Sequence, residues 1–376
     1  MVEKQEKCKA VGDYCYPLEG TPIGKGAFAT VYKGSHVDDP KDVVAIKVIN
    51  AQTIQEYKDF AELFDRETEI LLKVKGPHIV EVKKILKTGS GNLYIVTAFC
   101  EGGSLEQKLT REGKLPESEA LKIVKGVCEA FIEIESLNLK NEKGEKMMVM
   151  HRDIKPGNIL FQNGVIKLAD FGFAKLIEVG KKNIKTNHTH LGSPSYMSPQ
   201  ILEQVEYSGK CDIWSLGIML FEMVMGKLPW PSCSIYELLQ NMKGNSLNIS
   251  QSVSKECRDL IEKMLKFEES VRIDWKGILE HPAITGKKLL PEETMKVSDP
   301  KSKIKILSST SLVKPMKISQ ADETSEEVKK ENKIPAEVKT SQRNSSGIQI
   351  LSISKSNASD TIPPPQKKSS KITFIE

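Results

Sequence analysis

The sequence predicts an α+β fold of two lobes, in which a small lobe of antiparallel strands precedes a larger, mainly helical lobe. β-branched runs recur between residues 14 and 100, where one amphipathic segment separates them. Long apolar segments dominate from residue 115 onward. After residue 285 the chain is rich in Ser, Lys, Thr and Pro, and it cannot bury enough apolar surface to offset its conformational entropy. We therefore expect a disordered tail behind the second lobe.

The individual elements follow from local patterns. In the small lobe, strands are predicted at residues 29–32, 43–49 and 92–100, where β-branched residues are frequent. A helical period of apolar residues over residues 57–75 predicts one helix between the second and third strands. In the large lobe, the long apolar segments at 120–137 and 213–225 predict central helices. The predicted boundaries are an extension over 1–13, a folded part over 14–285 (small lobe 14–100, large lobe 101–285) and a tail over 286–376.

The tail carries the positive balance of the chain. The formal net charge is +5, and the tail has 17 Lys and Arg against 11 Asp and Glu, a balance of +6 that leaves residues 1–285 at −1. A balance this small gives no reason to expect nucleic acid as a partner. Apolar runs in the tail are either docking segments for other proteins or scattered aliphatic residues, and the composition favours the second interpretation; they lie at residues 304–307, 348–353 and 372–375.

Cysteine usage and hydropathy indicate the cellular compartment of the protein. The seven cysteines are never spaced CxxC, which indicates reduced thiols rather than disulfides or a zinc site. The first ten residues lack the apolar core of a secretory signal. The longest apolar stretch, residues 213–224, contains Ser215 and Glu222 and is too short to span a bilayer. We expect a cytosolic or nuclear protein without a membrane span.

The stretch over residues 151–172 concentrates the residues suited to chemistry, and it reads HRDIKPGNILFQNGVIKLADFG. Asn163-Gly164 is a strong signal for a type I′ turn, because both central positions of that turn need a positive φ. The apolar runs on either side predict the two strands of a hairpin. Such a hairpin brings three side chains together as a site for metal and phosphate beside a hydroxyl: Asp153, Asn158 and Asp170.

This stretch resembles the catalytic and metal-binding loops of eukaryotic protein kinases, HRDxKxxN and DFG, at nearly their usual separation. The resemblance implies the two-lobed kinase fold over residues 14–285, with ATP and Mg²⁺ as cofactors and proteins as substrates. It makes Asp153 the group that accepts or orients the proton of the substrate hydroxyl. Lys155 then steadies the γ-phosphate, and Asn158 and Asp170 are the Mg²⁺ ligands.

A glycine-rich turn in the small lobe supports the resemblance. Small residues allow backbone N–H groups to approach phosphates, although the pattern alone is as often a plain hairpin turn. Here a strand ending in Val44-Ala45-Ile46-Lys47 follows, as in the kinase phosphate-covering loop and its lysine strand, and a Walker A loop would instead open a helix. An alanine replaces the third glycine of the usual pattern. The turn comprises Gly24, Lys25, Gly26, Ala27, Phe28 and Ala29.

The resemblance assigns Lys47 to the α- and β-phosphates and pairs it with a glutamate of the following helix. Glu67 is our choice, because it shares the apolar side of that helix with Leu63 and Ile70. Glu69 points elsewhere on a period of 3.6 residues and is expected to face water.

Residues 97–100 resemble the hinge between the lobes of a kinase. Adenine would bond to backbone groups of Ala98 and Cys100, and Thr97 falls at the gatekeeper position. A reactive thiol is the alternative role of Cys100, and an ordinary thiol with a backbone contact is favoured. Ser104 stands where many kinases place an acid against the ribose. The resemblance also assigns four apolar residues to the ATP site: Ile23, Val31, Ala45 and Leu160.

Two residues indicate the substrate class and one arginine indicates regulation. Lys155 resembles the lysine of serine/threonine kinases, which tyrosine kinases usually lack at this position, and Ser193 matches the hydroxyl residue that contacts the catalytic aspartate and lysine in that group. Residues 173–200 correspond to the activation segment. A phosphate on that segment would pair with the guanidinium of Arg152. Thr189 is the first candidate for this phosphate and Thr186 the second.

One departure from the family pattern lies at the end of that segment. Gln200 stands where the family has a glutamate that pairs with a buried arginine, here Arg272. Without a full counter-ion the arginine is expected to cost about 1–3 kcal/mol, unless a neighbour compensates. Asp212 matches the aspartate that holds the backbone of the catalytic loop.

Within the superfamily, the glycine-rich turn and residues 192–197 look most like the autophagy-initiating (ULK-type) serine/threonine kinases, while Aurora-like and calmodulin-dependent kinases share much of the pattern. The resemblance implies a monomeric catalytic domain. A pseudokinase scaffold that binds nucleotide is the alternative, although none of its diagnostic losses is found at Lys47, Asp153, Asn158 or Asp170. A small-molecule kinase is disfavoured by the full-length activation segment.

Overall fold

The computed structural model describes residues 7–26, 29–56, 72–171, 174–178, 193–244, 246–288 and 373–375. The described residues form a strand-rich small lobe and a mainly helical large lobe, so the predicted α+β class is confirmed. No described helix has the length and hydropathy needed to cross a membrane.

An antiparallel sheet forms the small lobe, with strand order β1-β2-β4-β5-β7-β6 and β3 pairing with β4. A last strand, β12 (Thr373–Ile375), is added in parallel outside β6. The other elements of this lobe are β1 (Cys8–Val11), β2 (Tyr14–Pro17), β3 (Gly24–Lys25), β4 (Thr30–His36), β5 (Val43–Ile49), α1 (Ala51–Glu56), β6 (Val82–Thr88) and β7 (Leu93–Ala98).

The sheet curls, so that the turn between β1 and β2 contacts β6 near the other end of the sheet. The carboxylate of Asp13, in the β1–β2 turn, lies 2.6 Å from the ammonium of Lys84 on β6. A Cβ on Gly12 would lie 3.0 Å from Leu86 Cδ1. One face of the curled sheet encloses its own apolar cluster, formed by Val11, Tyr16, Val44, Ile46, Val48, Leu86, Tyr94 and Val96. Strand β1 begins at Cys8, so residues expected in an extension belong to the sheet.

Two long helices form the centre of the large lobe, as the apolar segments predict. Nearly every side chain of α5 (Lys210–Met225) is buried, and α3 (Glu117–Ser136) packs against it. Around them lie α2 (Leu105–Glu112), α4 (Pro199–Leu202), α6 (Ile235–Gly244), α7 (Lys255–Met264), α8 (Trp275–Glu280) and α9 (Pro282–Thr285). Two aromatic pairs stack in this core, Phe131 with Trp275 and Trp214 with Trp230.

Two short antiparallel pairs lie at the front of this lobe. The predicted hairpin is confirmed as β9 (Ile159–Gln162) and β10 (Val165–Leu168). Its turn residues Asn163 and Gly164 have φ of 50° and 75°, as a type I′ turn requires. The second pair, β8 (Met147–Met150) with β11 (Lys175–Glu178), was not predicted, because its partners are short and far apart in sequence.

Two predicted segments lie largely outside the described residues. Of the helix predicted over residues 57–75, the structure describes residues 72–75, and Leu72 and Lys73 are helical. Of the predicted disordered tail, it describes residues 286–288 and the three residues of β12, and these last form a strand.

Gly126, in the middle of α3, permits close packing against the catalytic hairpin. A Cβ at this position would lie 2.4 Å from Ile166 Cγ1 on β10. We expect Gly126→Ala to lower the free energy of unfolding by about 1–3 kcal/mol, since the side chain of Ile166 leaves no room for a methyl group at this position. Urea denaturation measures this change. Gly244→Ala is the matched control, because nothing lies within 4 Å of its Cβ position. A loss in the control as large as that in Gly126→Ala would contradict the packing argument.

Candidate active site

The catalytic loop is held by one buried carboxylate. Asp212, in the first turn of α5, is fully buried and accepts the backbone N–H groups of His151 and Arg152, each at 2.8 Å. Arg152 has a φ of 65°, a conformation that a non-glycine residue keeps only when its surroundings fix it. Burial raises the pKa of Asp212 above its ordinary value, although the nearby His151 and the two N–H groups act in the opposite direction. The structural role predicted for Asp212 is thus visible in its contacts.

The ring of His151 joins the catalytic loop to the metal-ligand loop. Its Nδ1 lies 3.3 Å from the N–H of Asp153, which can only donate, so Nδ1 accepts and the ring proton is on Nε2. Nε2 then donates to the carbonyl of Ala169 at 2.9 Å. The neighbouring Asp170 has a φ of 61°. This histidine therefore fixes the two loops relative to each other, a role that the sequence did not reveal.

The predicted catalytic residues meet around Asp153. The amide nitrogen of Asn158 donates to the Asp153 carbonyl at 2.8 Å and to its carboxylate at 2.9 Å. The ammonium of Lys155 lies 2.8 Å from the same carboxylate and 3.2 Å from the hydroxyl of Ser193. Lys155 thus bridges the catalytic loop and the turn Pro194–Tyr196 that follows Ser193.

Lys47 contacts the other predicted metal ligand. Its ammonium lies 2.5 Å from Asp170 Oδ1, although 123 residues separate the two in sequence. Both side chains are partly exposed, as groups lining a cleft would be. The predicted partner Glu67 lies outside the described residues, so the Lys47–Glu67 ion pair stays a prediction.

The strand that leads to Asp170, β10, pairs with the small lobe through backbone hydrogen bonds that no local pattern in the sequence predicts. Leu168 donates to the carbonyl of His78 at 2.8 Å and accepts from the N–H of Val80 at 2.9 Å. Ile79 forms a parallel bridge with Leu168 between these bonds. Apolar residues on both sides were the available signal, but nothing local in the sequence connects residues this far apart.

The glycine-rich turn connects β3 and β4 as a hairpin. Gly24 pairs with Val31 and Lys25 with Thr30, and the N–H of Gly26 donates to the carbonyl of Ala29 at 2.9 Å. Ala27 and Phe28, at the tip, lie outside the described residues. Ile23 is exposed, and Val31 and Ala45 are partly exposed on neighbouring strands.

The hinge residues refine the predicted adenine contacts. The N–H of Ala98 donates to the carbonyl of Glu81 at 2.9 Å, so its carbonyl is the group left for a base. The N–H of Cys100 has no partner within the described part of the chain, and its carbonyl accepts from Gly103. Burial raises the pKa of the Cys100 thiol to about 11, which agrees with an ordinary thiol there. The gatekeeper candidate Thr97 bonds weakly to the carbonyl of Ala45 at 3.5 Å.

Ser104 caps a helix, in addition to its predicted position near the ribose. It is the N-cap of α2, and its hydroxyl accepts the N–H of Gln107 at 3.2 Å while the Gln107 side chain accepts the N–H of Ser104. Its backbone also bridges to Leu160 on β9. The pattern Ser-x-x-Gln in the sequence is the signal for this capping box.

Gln200 compensates for the missing glutamate together with backbone carbonyls. The guanidinium of Arg272 donates to Gln200 Oε1 at 2.9 Å. It also donates to the carbonyls of Lys266, Lys210 and Phe267, and it lies 5.1 Å from the ring centroid of Trp214. Desolvation lowers the pKa of Arg272 to about 10. The arginine is therefore satisfied without a carboxylate, and the expected cost is met by neighbours.

The donor set fits a nucleotide with a divalent cation. Asn158 uses its amide nitrogen on Asp153, which leaves Oδ1 available as a hard oxygen ligand. Asp170 supplies a carboxylate beside the ammonium of Lys47. Oxygen ligands of this type suit Mg²⁺ bound to phosphates.

Of the three remaining residues with a predicted regulatory role, the structure describes one. Arg152 lies in the catalytic loop as predicted. Thr186 and Thr189 lie outside the described residues, and so does Gly192 before Ser193. The activation-segment phosphate therefore stays a prediction.

The two lobes and this set of contacts define the class of protein kinases. The sequence matches the family described as "Protein kinase domain" over residues 18–284, so this chain belongs to that family.

Similar proteins refine the placement within the family. The chain is 33% identical over 266 residues to the human serine/threonine-protein kinase ULK3, covering 69% of this chain and 53% of that protein. It is 31% identical over 280 residues to atg1 of Dictyostelium discoideum, covering 73% of this chain and 39% of the relative. For unc-51 of Caenorhabditis elegans the values are 33% over 295 residues, 73% and 32%. The predicted ULK-type resemblance is confirmed, and the chain spans about half or less of these relatives.

The pKa of Cys100 makes its alkylation slow. At pH 8 we expect iodoacetamide to modify Cys100 about 10²-fold more slowly than the exposed Cys233, because thiolate is the reacting species. A time course of intact labelling followed by peptide mass spectrometry measures both rates in one sample. Equal rates would show that the hinge thiol is not buried as described.

Arg272 has geometry that lysine cannot reproduce. We expect Arg272→Ala and Arg272→Lys each to lower the free energy of unfolding by at least about 3 kcal/mol, since both leave buried carbonyls without donors. Urea titration measures the loss. The exposed Arg111→Ala provides the control and should change stability by less than about 0.5 kcal/mol. Full stability of Arg272→Lys would contradict the proposed fork of hydrogen bonds.

Proposed function

We propose that this chain transfers the γ-phosphoryl group of ATP to serine and threonine hydroxyls of proteins. The observation that carries the proposal is Lys155, whose ammonium contacts both the Asp153 carboxylate and the Ser193 hydroxyl. That contact brings together a cation, a base and a turn near the end of the activation segment. The names of the similar proteins, all serine/threonine-protein kinases, support the same substrate class.

Each of these residues has a separate role in the phosphoryl transfer. Asp153 receives or orients the proton of the acceptor hydroxyl, and Asn158 holds its carboxylate in place. Lys155 neutralises charge that develops on the transferred group. Lys47 and the backbone of the glycine-rich turn position the phosphates. Mg²⁺, held by Asn158 and Asp170, would neutralise charge on the phosphate oxygens when bound.

The acceptor class rests on the contacts of Lys155. Its ammonium lies beside both the Ser193 hydroxyl and the Asp153 carboxylate. A lysine and a hydroxyl residue at these two positions are typical of serine/threonine kinases, and tyrosine kinases usually lack this lysine. These contacts therefore favour serine and threonine over tyrosine as acceptors.

Regulation through the activation segment forms part of the proposal. A phosphate on Thr189, or on Thr186, would be an anion for the guanidinium of Arg152 to pair with. Since Arg152 adjoins Asp153 and is held by Asp212, such a pair would act on the catalytic loop directly. We further propose a monomeric catalytic domain with broad protein specificity, a cytosolic or nuclear location, and docking of other proteins by the tail.

Asp170→Asn tests the phosphotransfer directly. We expect phosphate incorporation into a generic protein substrate with Mg-ATP to fall at least about 10²-fold, because the variant removes a charged metal ligand and the partner of Lys47. Asp38→Asn, on an exposed loop, is the matched control and should retain full activity. Equal incorporation by the wild-type chain and Asp170→Asn would reject catalysis here and favour a nucleotide-binding scaffold. Parallel reactions with serine and tyrosine peptides measure the acceptor preference.

A further inference from the structure

The edge of the small-lobe sheet at β6 carries a strand from far along the chain. On one side β6 pairs with β7 in an antiparallel register. On the other side β12 pairs with residues 86–88 of β6, with Thr373 opposite Leu86 and Ile375 opposite Thr88. This pair is parallel, whereas the remaining pairs of the described sheet are antiparallel.

An uncovered β6 would be the edge of this sheet among the described strands. Edge strands present a row of unpaired N–H and C=O groups, and natural proteins cover or disguise them. Addition of an extended segment to such an edge gains main-chain hydrogen bonds, while alternate side chains decide which segment binds. The β6 edge is therefore a surface that selects an extended peptide.

The chain is long enough to supply that peptide itself. Parallel neighbours in a sheet need a connection of at least about a dozen residues. Residues 289–372 separate β12 from the last described residues of the large lobe, so the connection exceeds this requirement severalfold.

The sequence at this point favours a strand. Residues 372–375 read Ile-Thr-Phe-Ile, a β-branched and aromatic run, and Phe374 is the only aromatic residue after residue 285. Pro363-Pro364-Pro365 upstream cannot donate to a ladder, which limits how far a strand can extend toward the N-terminus. The other apolar runs of the tail, at 304–307 and 348–353, contain no aromatic residue.

The covered strand is connected to the catalytic site on both sides. The turn before β6 contains Ile79 and Val80, which contact Leu168, two residues before Asp170. The neighbouring strand β7 leads into the hinge at Ala98. A peptide on β6 therefore pairs with a strand whose preceding turn contacts Leu168 and whose neighbour β7 ends at the hinge.

We infer that Thr373–Ile375 is a docking strand that returns the tail to the small lobe, and that the β6 edge is its binding site. The occupant is this chain's own segment, which binds through its backbone in an extended conformation. The inference stands apart from the proposed function, because strand pairing requires neither ATP nor catalysis.

Proline in the strand tests the docking in the intact chain. The N–H of Thr88 donates to the carbonyl of Asn92 on the β7 side, so the alternating backbone of β6 turns Lys87 toward β12. In the parallel ladder its partners are the residues on either side of Phe374, Thr373 and Ile375.

Ile375→Pro removes the backbone N–H that faces Lys87 and restricts φ. We expect the amide of Lys87 to exchange with deuterium at least about tenfold faster in this variant than in the wild-type chain. Ile375→Val, which keeps a β-branched residue, should preserve protection, and so should Ser359→Pro, which places proline in the tail outside the strand. Unchanged protection of Lys87 in Ile375→Pro would overturn the inference.

A peptide supplied in trans separates an emptied edge from a loosened domain. A synthetic peptide of residues 368–376, added to the full-length Ile375→Pro chain, should restore the slow exchange of the Lys87 amide. The peptide of residues 301–309 has the same length and another apolar run of the tail, and it should restore nothing. Failure of the first peptide, rescue by both, or faster exchange that spreads to α3 and α5 would each overturn the inference. Turnover of Mg-ATP measured in the same samples reports on catalysis separately.

Discussion

The geometry of the site depends on the burial of one carboxylate, that of Asp212. A buried charge costs several kcal/mol unless it is paired or hydrogen-bonded, and Asp212 offsets this cost with two backbone N–H groups. Its place in the first turn of α5 adds the favourable end of the helix dipole. In return it holds Arg152 at a positive φ, a strained conformation that costs of order 1–3 kcal/mol. The turn at Arg152 leaves the Asp153 carboxylate beside Asn158 and Lys155, while the preceding backbone stays anchored by Asp212.

The second loop is held to the first by the ring of His151 and by a backbone hydrogen bond from the N–H of Ala169 to the carbonyl of Asn158 at 2.9 Å. Because Asp212 fixes the backbone of His151, the ring of His151 can hold the carbonyl of Ala169 at a defined distance. Ala169 precedes Asp170, whose φ is also positive. The packing of Phe171 against the same ring, at 4.7 Å between centroids, closes the arrangement. The base and the metal ligand are therefore placed by one connected network rather than by two independent loops, and loosening either end would displace both.

Residues whose roles are local or belong to a motif could be predicted from the sequence. The turn Asn163-Gly164 is determined by its two neighbours, and Lys155, Asn158 and Ser193 lie where the motif places them. What the sequence could not reveal depends on distant packing. The carbonyls that satisfy Arg272 come from segments that meet only after α5 and α7 pack, so the lost glutamate at position 200 looked costlier than it is. The use of the Ala98 N–H by Glu81 likewise depends on strand register, which no local pattern determines.

The register at the small-lobe edge depends on backbone pairing rather than on charges. The register of β6 against β7 shifts between Val82 and Lys84, which leaves Lys83 at an irregularity. Lys83 pairs with Asp42, and Lys84 pairs with Asp13 on a different hairpin. These pairs are partly exposed, and such pairs contribute only about 0–1 kcal/mol each. They can orient β6 between two hairpins, but they cannot hold its register against slippage. The register of β6 is held by its ladder with β7 and by the strand that pairs with its other edge. Pairing at that edge therefore affects the position of the hinge.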